Sequence, residues 1–379
     1  MLVEIKGVQF INKGAELMLH AVIQKLEQDI PEAKIVLDPK PSSPYEKRAK
    51  LGALQKLSFR KLFIDLNQVS YWLPKRLRDS LRKKWGIVME ADIDLVLDAS
   101  GFAYGDQFRP IIIQQMCSEV KRAARNGKKY VLLPQALGVF SRTKDVERLK
   151  SALPKATLVF PREQSSFDNV TQLVGDLEHI QQFPDFTNLV KGILPEYFVD
   201  GQKKVLIIPN SNMISSRNKN KTWLKSYVTI LSRCVEAVKE RGYVPVLLNH
   251  EGKDDEAICR EIIASVGELE LIEEADPLKV KGIIGASKGI ICSRFHGCVS
   301  ALTQGIPSLG TSWIHKYERL YEEYGVSNCL IQPDSSAEEL SAQVELLLSG
   351  GASPDEGKIE HYKSLTSQMW QTIYNKIGK

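Results

Sequence analysis

Cysteine is scarce in this chain, and its placement follows no framework. The six cysteines, at positions 117, 234, 259, 292, 298 and 329, include no CxxC pair, which argues against a disulfide scaffold and for reduced thiols. Cys292, His296 and Cys298 lie close together, yet no second ligand pair accompanies them, so no metal is expected. Long apolar runs are missing too. No stretch approaches the roughly 18–20 residues that would cross a bilayer. The opening MLVEIKGVQF lacks the basic region and long apolar core of an export signal and reads as a first strand. Internal repeats and low-complexity tracts are absent. The resulting expectation is a cytoplasmic globular protein.

Acidic residues are almost missing from one region. Between Lys47 and Lys84 stand twelve Lys and Arg but only Asp65 and Asp79, a local charge of +10 in a chain whose total is +5. The remainder is therefore −5. A basic stretch of this kind points to an anionic partner. Its cations interleave with Leu, Phe, Tyr and Trp at helical spacing, which suits a surface touching anionic lipid at the inner face of the cell membrane. A solvated helical hairpin is the plainer alternative. No nucleic-acid-binding signature accompanies the cations, so no nucleic acid is expected.

What is present is alternation. Short apolar runs of strand type exchange with amphipathic helical stretches along 379 residues, a length suited to two lobes and too great for one ordinary core. Strands are expected at 2–5, 34–37, 94–97, 130–133 and 157–160, then at 204–208, 244–248, 269–272, 289–292, 308–310 and 329–331. A loose stretch with Gly192, Pro195 and Gly201 suggests a hinge near 190–203. The expected organisation is a first lobe over 1–195 with a basic insertion at 47–85, a second over 196–352, and a final helix at 353–379 crossing back.

Open parallel sheets bind ligands beyond the carboxyl ends of their strands, so the loops there were read for chemistry. After the first strand come Asn12, Gly14 and Glu16; after 94–97 comes DASGFAYGD with Gly101 and Asp106. In the second lobe the loop 209–221 carries Asn212, Arg217 and Lys221, and the segment Ser293-Arg294-Phe295-His296-Gly297 opens a helix. These loops are expected to face one cleft. A helix start offers free N–H groups and a positive dipole end to an anion. Arg294 adds a planar fork for a phosphate or carboxylate, and His296 can donate a proton near neutral pH. Ser293 or its neighbour is expected to cap the helix, and Ser293 and Gly297, with Asn12, Gly14, Gly101, Asn212, Arg217 and Lys221, are expected to contact the substrate beside Arg294. The plainer reading is that His296 caps it and Arg294 pairs with a surface acid. For Lys316 and Tyr317, surface packing is expected rather than contact with a ligand.

The segment RFHGCVSALTQGIP, with NKGAEL near the N-terminus, resembles the polysaccharide pyruvyl transferase family. DASGFAYGD, PQALG, PRE, PDF and SRFHG follow in the family's order, although Ser100-Gly101 stands where a Gly-Gly pair is common. The resemblance implies a GT-B-like fold of two Rossmann-type lobes. It also implies transfer of a pyruvyl unit from phosphoenolpyruvate to a sugar of a cell-surface glycan, free or lipid-linked. On that reading Arg294 holds the donor, His296 is the acid, and Asp106 or Glu16 is the base. One acid and one base suffice, and no cofactor is implied. The alternative on the same scaffold is a nucleotide-sugar glycosyltransferase, for which Glu251, Asp254 and Asp255 are the acids to consider. A non-catalytic glycan-binding protein is a third reading.

Overall fold

The computed structural model describes residues 1–216, 218–313 and 316–379. The chain divides into two compact units, Met1–Phe186 with Leu365–Lys379, and Thr187–Ser364.

In the first unit the strands are β1 (Leu2–Lys6), β2 (Lys34–Leu37), β3 (Leu54–Leu57), β4 (Arg60–Lys61), β5 (Ile64–Asp65), β6 (Ile87–Met89), β7 (Leu95–Asp98), β8 (Lys129–Gln135) and β9 (Leu158–Pro161). Seven form a sheet in the order β6-β3-β2-β1-β7-β8-β9, and β4-β5 is a separate antiparallel hairpin. Every pairing within the large sheet is parallel. The helices are α1 (Lys13–Asp29), α2 (Tyr45–Lys50), α3 (Lys75–Trp85), α4 (Pro110–Arg125), α5 (Thr143–Ala152) and α6 (Gln164–Val174).

The second unit carries β10 (Lys204–Ile208), β11 (Val244–Leu248), β12 (Glu270–Ile272), β13 (Gly289–Cys292), β14 (Ser308–Thr311) and β15 (Leu330–Ile331), in the parallel order β12-β11-β10-β13-β14-β15. Its helices are α7 (Lys221–Glu240), α8 (Gly252–Val266), α9 (Pro277–Ala286), α10 (Phe295–Leu302), α11 (Lys316–Glu323) and α12 (Ala337–Leu348); α13 (Glu356–Ile377) begins in this unit and from Leu365 on belongs to the first. The central strands read VLII, VLL and GIIC because both faces of a parallel sheet are covered, so apolar side chains are wanted on both. Caps set the helix starts. Asp276 accepts from Leu278 N at 2.8 Å ahead of Pro277, and Ser336 and Glu339 form a capping box on α12.

Two expectations change. The region 47–85 is not a helical hairpin, since it contributes β3, the β4-β5 hairpin, a short turn of 3-10 helix at Asn67–Tyr71 and α3. Strand β3 escaped the sequence pattern because it is LQKL, with Lys56 turned into the interior against Glu4 at 2.6 and 2.8 Å. The division between units falls at Phe186, earlier than the expected 195. The cause is that Ile193 donates to Leu278 O at 2.9 Å and Gly192 lies against Gly282, tying that stretch to α9.

Candidate functional site

Each sheet reverses its winding once, between β1 and β7 in the first unit and between β10 and β13 in the second. The loops leaving those four strands are where a doubly wound sheet receives ligands. All the described candidates lie in these loops or in the first turn of the helix that follows.

In the second unit the arrangement grows from Ser293, immediately after β13. Its hydroxyl accepts from Tyr227 OH and from Thr311 Oγ1, both at 2.6 Å. Its carbonyl accepts from Asn210 Nδ2 and Tyr317 OH, both at 2.8 Å, and its N–H donates to Ile208 O. Ser293 is fully buried. It is therefore neither the helix cap nor a ligand group, which corrects both expectations: its polar atoms knot four elements together. Tyr317 is corrected in the same way, as a buried member of that knot.

Arg294 takes the cap position of α10 with extended backbone and no side-chain capping bond. Its Nε and Nη2 donate to the two oxygens of Asp255 at 2.8 and 2.5 Å, and Nη1 donates to Glu251. The partner is thus a fully buried carboxylate at the start of α8, not a surface acid. Burial disfavours the guanidinium charge, but the hydrogen bonds and charge of Asp255, with Glu251, raise the pKa above its ordinary value. Three of the five guanidinium N–H groups are used in these bonds, and the plane of the fork is fixed by them. Asp255 also accepts from Ser211 N at 2.9 Å, so the same carboxylate orders the loop after β10.

Beyond Arg294, Phe295, His296 and Gly297 form the first turn of α10, and the next amide, Cys298 N–H, already bonds Arg294 O at 2.9 Å. The half-buried His296 ring stands edge-on to Phe295. Gly297 is a packing position, because a Cβ there would lie 2.7 Å from Cys292 Sγ, so glycine lets the helix start close against β13. Lys316 Nζ lies 4.4 Å from the Phe295 ring centroid. In the loop after β10, Asn212 N donates to Asn210 Oδ1 at 2.9 Å, and Lys221 is exposed at the start of α7. Arg217 lies outside the described residues.

The first unit gathers a second cluster. Asn12 caps α1, accepting from Ala15 N at 2.9 Å, with Gly14 and Glu16 buried in the first turn. Glu16 faces Lys47 at 4.0 Å. Asp98, fully buried at the end of β7, accepts from Tyr104 OH at 2.6 Å, Tyr130 OH at 2.8 Å and both N–H and hydroxyl of Ser100. Gly101 turns the chain with φ of 65°, a left-handed value that favours glycine, and its carbonyl accepts from Ala136 N. Asp106 accepts from Ser141 N at 2.6 Å and faces Arg142 at 3.4 Å. The Ser141 hydrogen bond, with Arg142, lowers its pKa. A lowered pKa makes a carboxylate a weaker proton acceptor, and these contacts tie Asp106 to the segment at Ser141 and Arg142.

Sequence reasoning missed Asp255 and Tyr227. Asp255 had been weighed only as a sugar-binding acid, yet it follows a β-strand in the same way as the other candidates, and that placement was the available signal. Tyr227 sits mid-helix in α7, where nothing in the sequence marks its hydroxyl.

A model of the polysaccharide pyruvyl transferase family matches residues 12–315. No curated protein sequence gave a match. Among solved structures, the chain is similar to UDP-GlcNAc 2-epimerase from Neisseria meningitidis bound to UDP-GlcNAc (TM-score 0.58, 13% identity, 99% of each chain covered). It is also similar to a glycosyltransferase from Rickettsia africae (TM-score 0.58, 12% identity, 100% of this chain and 98% of that one). A third is UDP-GlcNAc 2-epimerase from Methanocaldococcus jannaschii (TM-score 0.57, 12% identity, 98% of this chain and 99% of that one). At such identities the likeness concerns the fold: two parallel-sheet α/β lobes of the GT-B-like class.

Proposed function

The chain belongs to the polysaccharide pyruvyl transferase family, and from that premise we propose that it carries a pyruvyl group from phosphoenolpyruvate to two hydroxyls of one sugar in a cell-surface polysaccharide precursor. The observation that carries this reading is the start of α10, where His296 and a plane-locked Arg294 follow the strand at the sheet's winding reversal. Phosphoenolpyruvate brings a phosphate and a carboxylate. The first-turn amides of α10, with the guanidinium hydrogens not spent on Asp255 and Glu251, supply donors suited to one of them. Asn212, in the loop after β10, and Lys221, at the start of α7, are the proposed companions for the other, with Arg217 from the same stretch of sequence.

The chemistry then needs one proton delivered and one removed. His296 protonates the methylene carbon, which becomes the methyl group of the product. A sugar hydroxyl bonds to the adjacent carbon as Glu16 takes its proton. Glu16 is preferred to Asp106 because the latter's carboxylate is already held by Ser141 and Arg142. The carbon–phosphate oxygen bond breaks, a second hydroxyl of the same sugar closes the ketal, and inorganic phosphate leaves with the second proton. Of the three acids weighed for the nucleotide-sugar alternative, Asp255 and Glu251 are engaged by Arg294, while Asp254 stays exposed.

The test is phosphate release from phosphoenolpyruvate in the presence of glycan acceptors. His296→Ala should lower kcat by about 10²–10⁴-fold while phosphoenolpyruvate still binds measurably. Near-normal turnover in that variant would remove His296 from the mechanism.

A further inference from the structure

The segment from Arg60 to Trp85 exposes more large apolar surface than its fold explains. Leu62, Phe63 and Ile64 are 68, 69 and 63% exposed, and Trp72 and Trp85 are 75 and 64% exposed. Leu66 and Leu77 are exposed with them, and no residue of α3 is buried. Isolated surface hydrophobics need no explanation, but a run of this size does.

Backbone geometry singles out the hairpin tip. Leu62 and Phe63 are the whole of the loop between β4 and β5, and Leu62 is left-handed, with φ of 51°. Two-residue hairpins favour Gly, Asn or Asp at such positions, and a branched, bulky side chain there is unfavourable. Stability alone would select neither residue. The base beneath is rigid. Arg60 bonds Asp65 at 2.9 Å and Glu119 at 2.6 Å, and Asn67 bridges Phe59 N and Asp65, both at 2.8 Å. A firm base thus presents two apolar side chains outward at the expense of turn preference.

Charge identifies the occupant. The structure withdraws several of the cations counted in the sequence: Lys56 is buried on Glu4, Arg60 on Asp65 and Glu119, Arg78 pairs with Asp92, and Arg82 with Asp79. Lys61, Lys75, Arg76, Lys83 and Lys84 remain exposed in the same segment as the apolar groups, Lys84 lying over the Trp85 ring at 6.0 Å from its centroid. The acids of this segment, Asp65 and Asp79, are both engaged with arginines. A second copy of the chain would set like charge against like charge. An anionic surface would not.

We propose that the Leu62-Phe63 hairpin tip, with Trp72, Trp85 and these five cations, docks the protein on an anionic lipid bilayer. The tip and indole rings enter the interface, and the cations meet the headgroups. Among the described residues no helix is long and apolar enough to cross a membrane. The inference goes beyond pyruvyl transfer and does not depend on it.

The test is sedimentation of the full chain with vesicles of equimolar phosphatidylglycerol and phosphatidylcholine, against phosphatidylcholine alone. Binding to the anionic vesicles only, weakening steeply with salt, is expected. Leu62→Ser with Phe63→Ser should lower the partition coefficient by at least about tenfold. Exchanging Lys61, Lys75, Arg76, Lys83 and Lys84 for Gln should lower it at least about a hundredfold. Unchanged melting temperatures would show both variants folded, as their exposure leads one to expect. Trp emission should shift to the blue on binding, and less so in Trp72→Phe. Absence of binding at low salt overturns the proposal, as does binding that ignores both variants. Self-association of the free protein that Leu62→Ser with Phe63→Ser abolishes would also overturn it, and would assign the face to a second copy.

Discussion

The two units stabilise their polar interiors by opposite means. Under the first sheet the work is ionic: Glu4 with Lys56, Lys6 and Arg60 with Glu119, Arg122 with Glu90 and Asp65, all buried or half-buried. Beneath the start of α10 in the second unit it is neutral, a knot of Ser293, Tyr227, Thr311, Asn210 and Tyr317. Asp255 and Glu251 are the acids brought there, and both serve Arg294. Neutral scaffolding has a consequence for function. At a helix start that receives an anionic donor the neutral knot adds no charge of its own, and the carboxylates of Asp255 and Glu251 are held on the Arg294 guanidinium, which matters because local charges act strongly where water is excluded.

That contrast predicts unequal responses to loss. Glu119→Gln should have the largest effect, about 3 kcal/mol from the first unit, because Lys6 and Arg60 lose their nearest counter-charge and keep only Asp98, at 3.9 Å from Lys6, and Asp65. Hydrogen exchange in β1 and β8 would report it. Burial by itself would raise the pKa of Glu119, but Lys6, Lys56 and Arg60 outweigh burial and hold it well below the ordinary carboxylate value. A depressed pKa contributes stability that is present above about pH 4.3 and lost as pH falls toward the folded-state value. Acid should therefore loosen the first unit in the wild-type chain, and the variant should show less of that pH dependence.

Tyr227→Phe should have the smaller effect, about 1–3 kcal/mol in the second unit. It takes the donor from Ser293 Oγ and the acceptor from Asn210 N without stranding a charge. Its stability loss should be nearly independent of pH between about 4 and 8, where no charged partner of that hydroxyl titrates. Equal losses for the two variants, or a strong acid dependence in Tyr227→Phe, would break the contrast.

The same contrast governs what could be read in advance. The second unit was legible because its strands are uniformly apolar and bounded by turn residues. Its ligand-side loops followed from strand ends alone. In the first unit, β3 was lost because a lysine fated for a buried ion pair looks like a surface lysine in sequence, and β6 because its three residues, IVM, are too short a run to mark a strand. Lys56 and Arg60 were counted as outward charge for that reason. The pair Arg294 and His296 was visible as an odd choice at a strand–helix junction. The engagement of Arg294 by Asp255, thirty-nine residues earlier, was not, because it depends on β11 and β13 flanking β10 in the sheet, so that the helices leaving them start at the same end. PRE and PDF, weak as separate motifs, become one feature in space, Arg162 bonding Asp185 at 3.2 Å.

The account stands on phosphoenolpyruvate binding at the start of α10, and hydrogen–deuterium exchange of the full chain with and without phosphoenolpyruvate tests that claim directly. At about a hundred times its Kd the ligand should stabilise the second unit by about 2.7 kcal/mol, and the amides of Phe295, His296 and Gly297 should be among the most strongly slowed. UDP-GlcNAc at the same concentration should leave those three amides unchanged. Unaltered exchange there under saturating phosphoenolpyruvate, or protection of them by UDP-GlcNAc instead, would contradict the account.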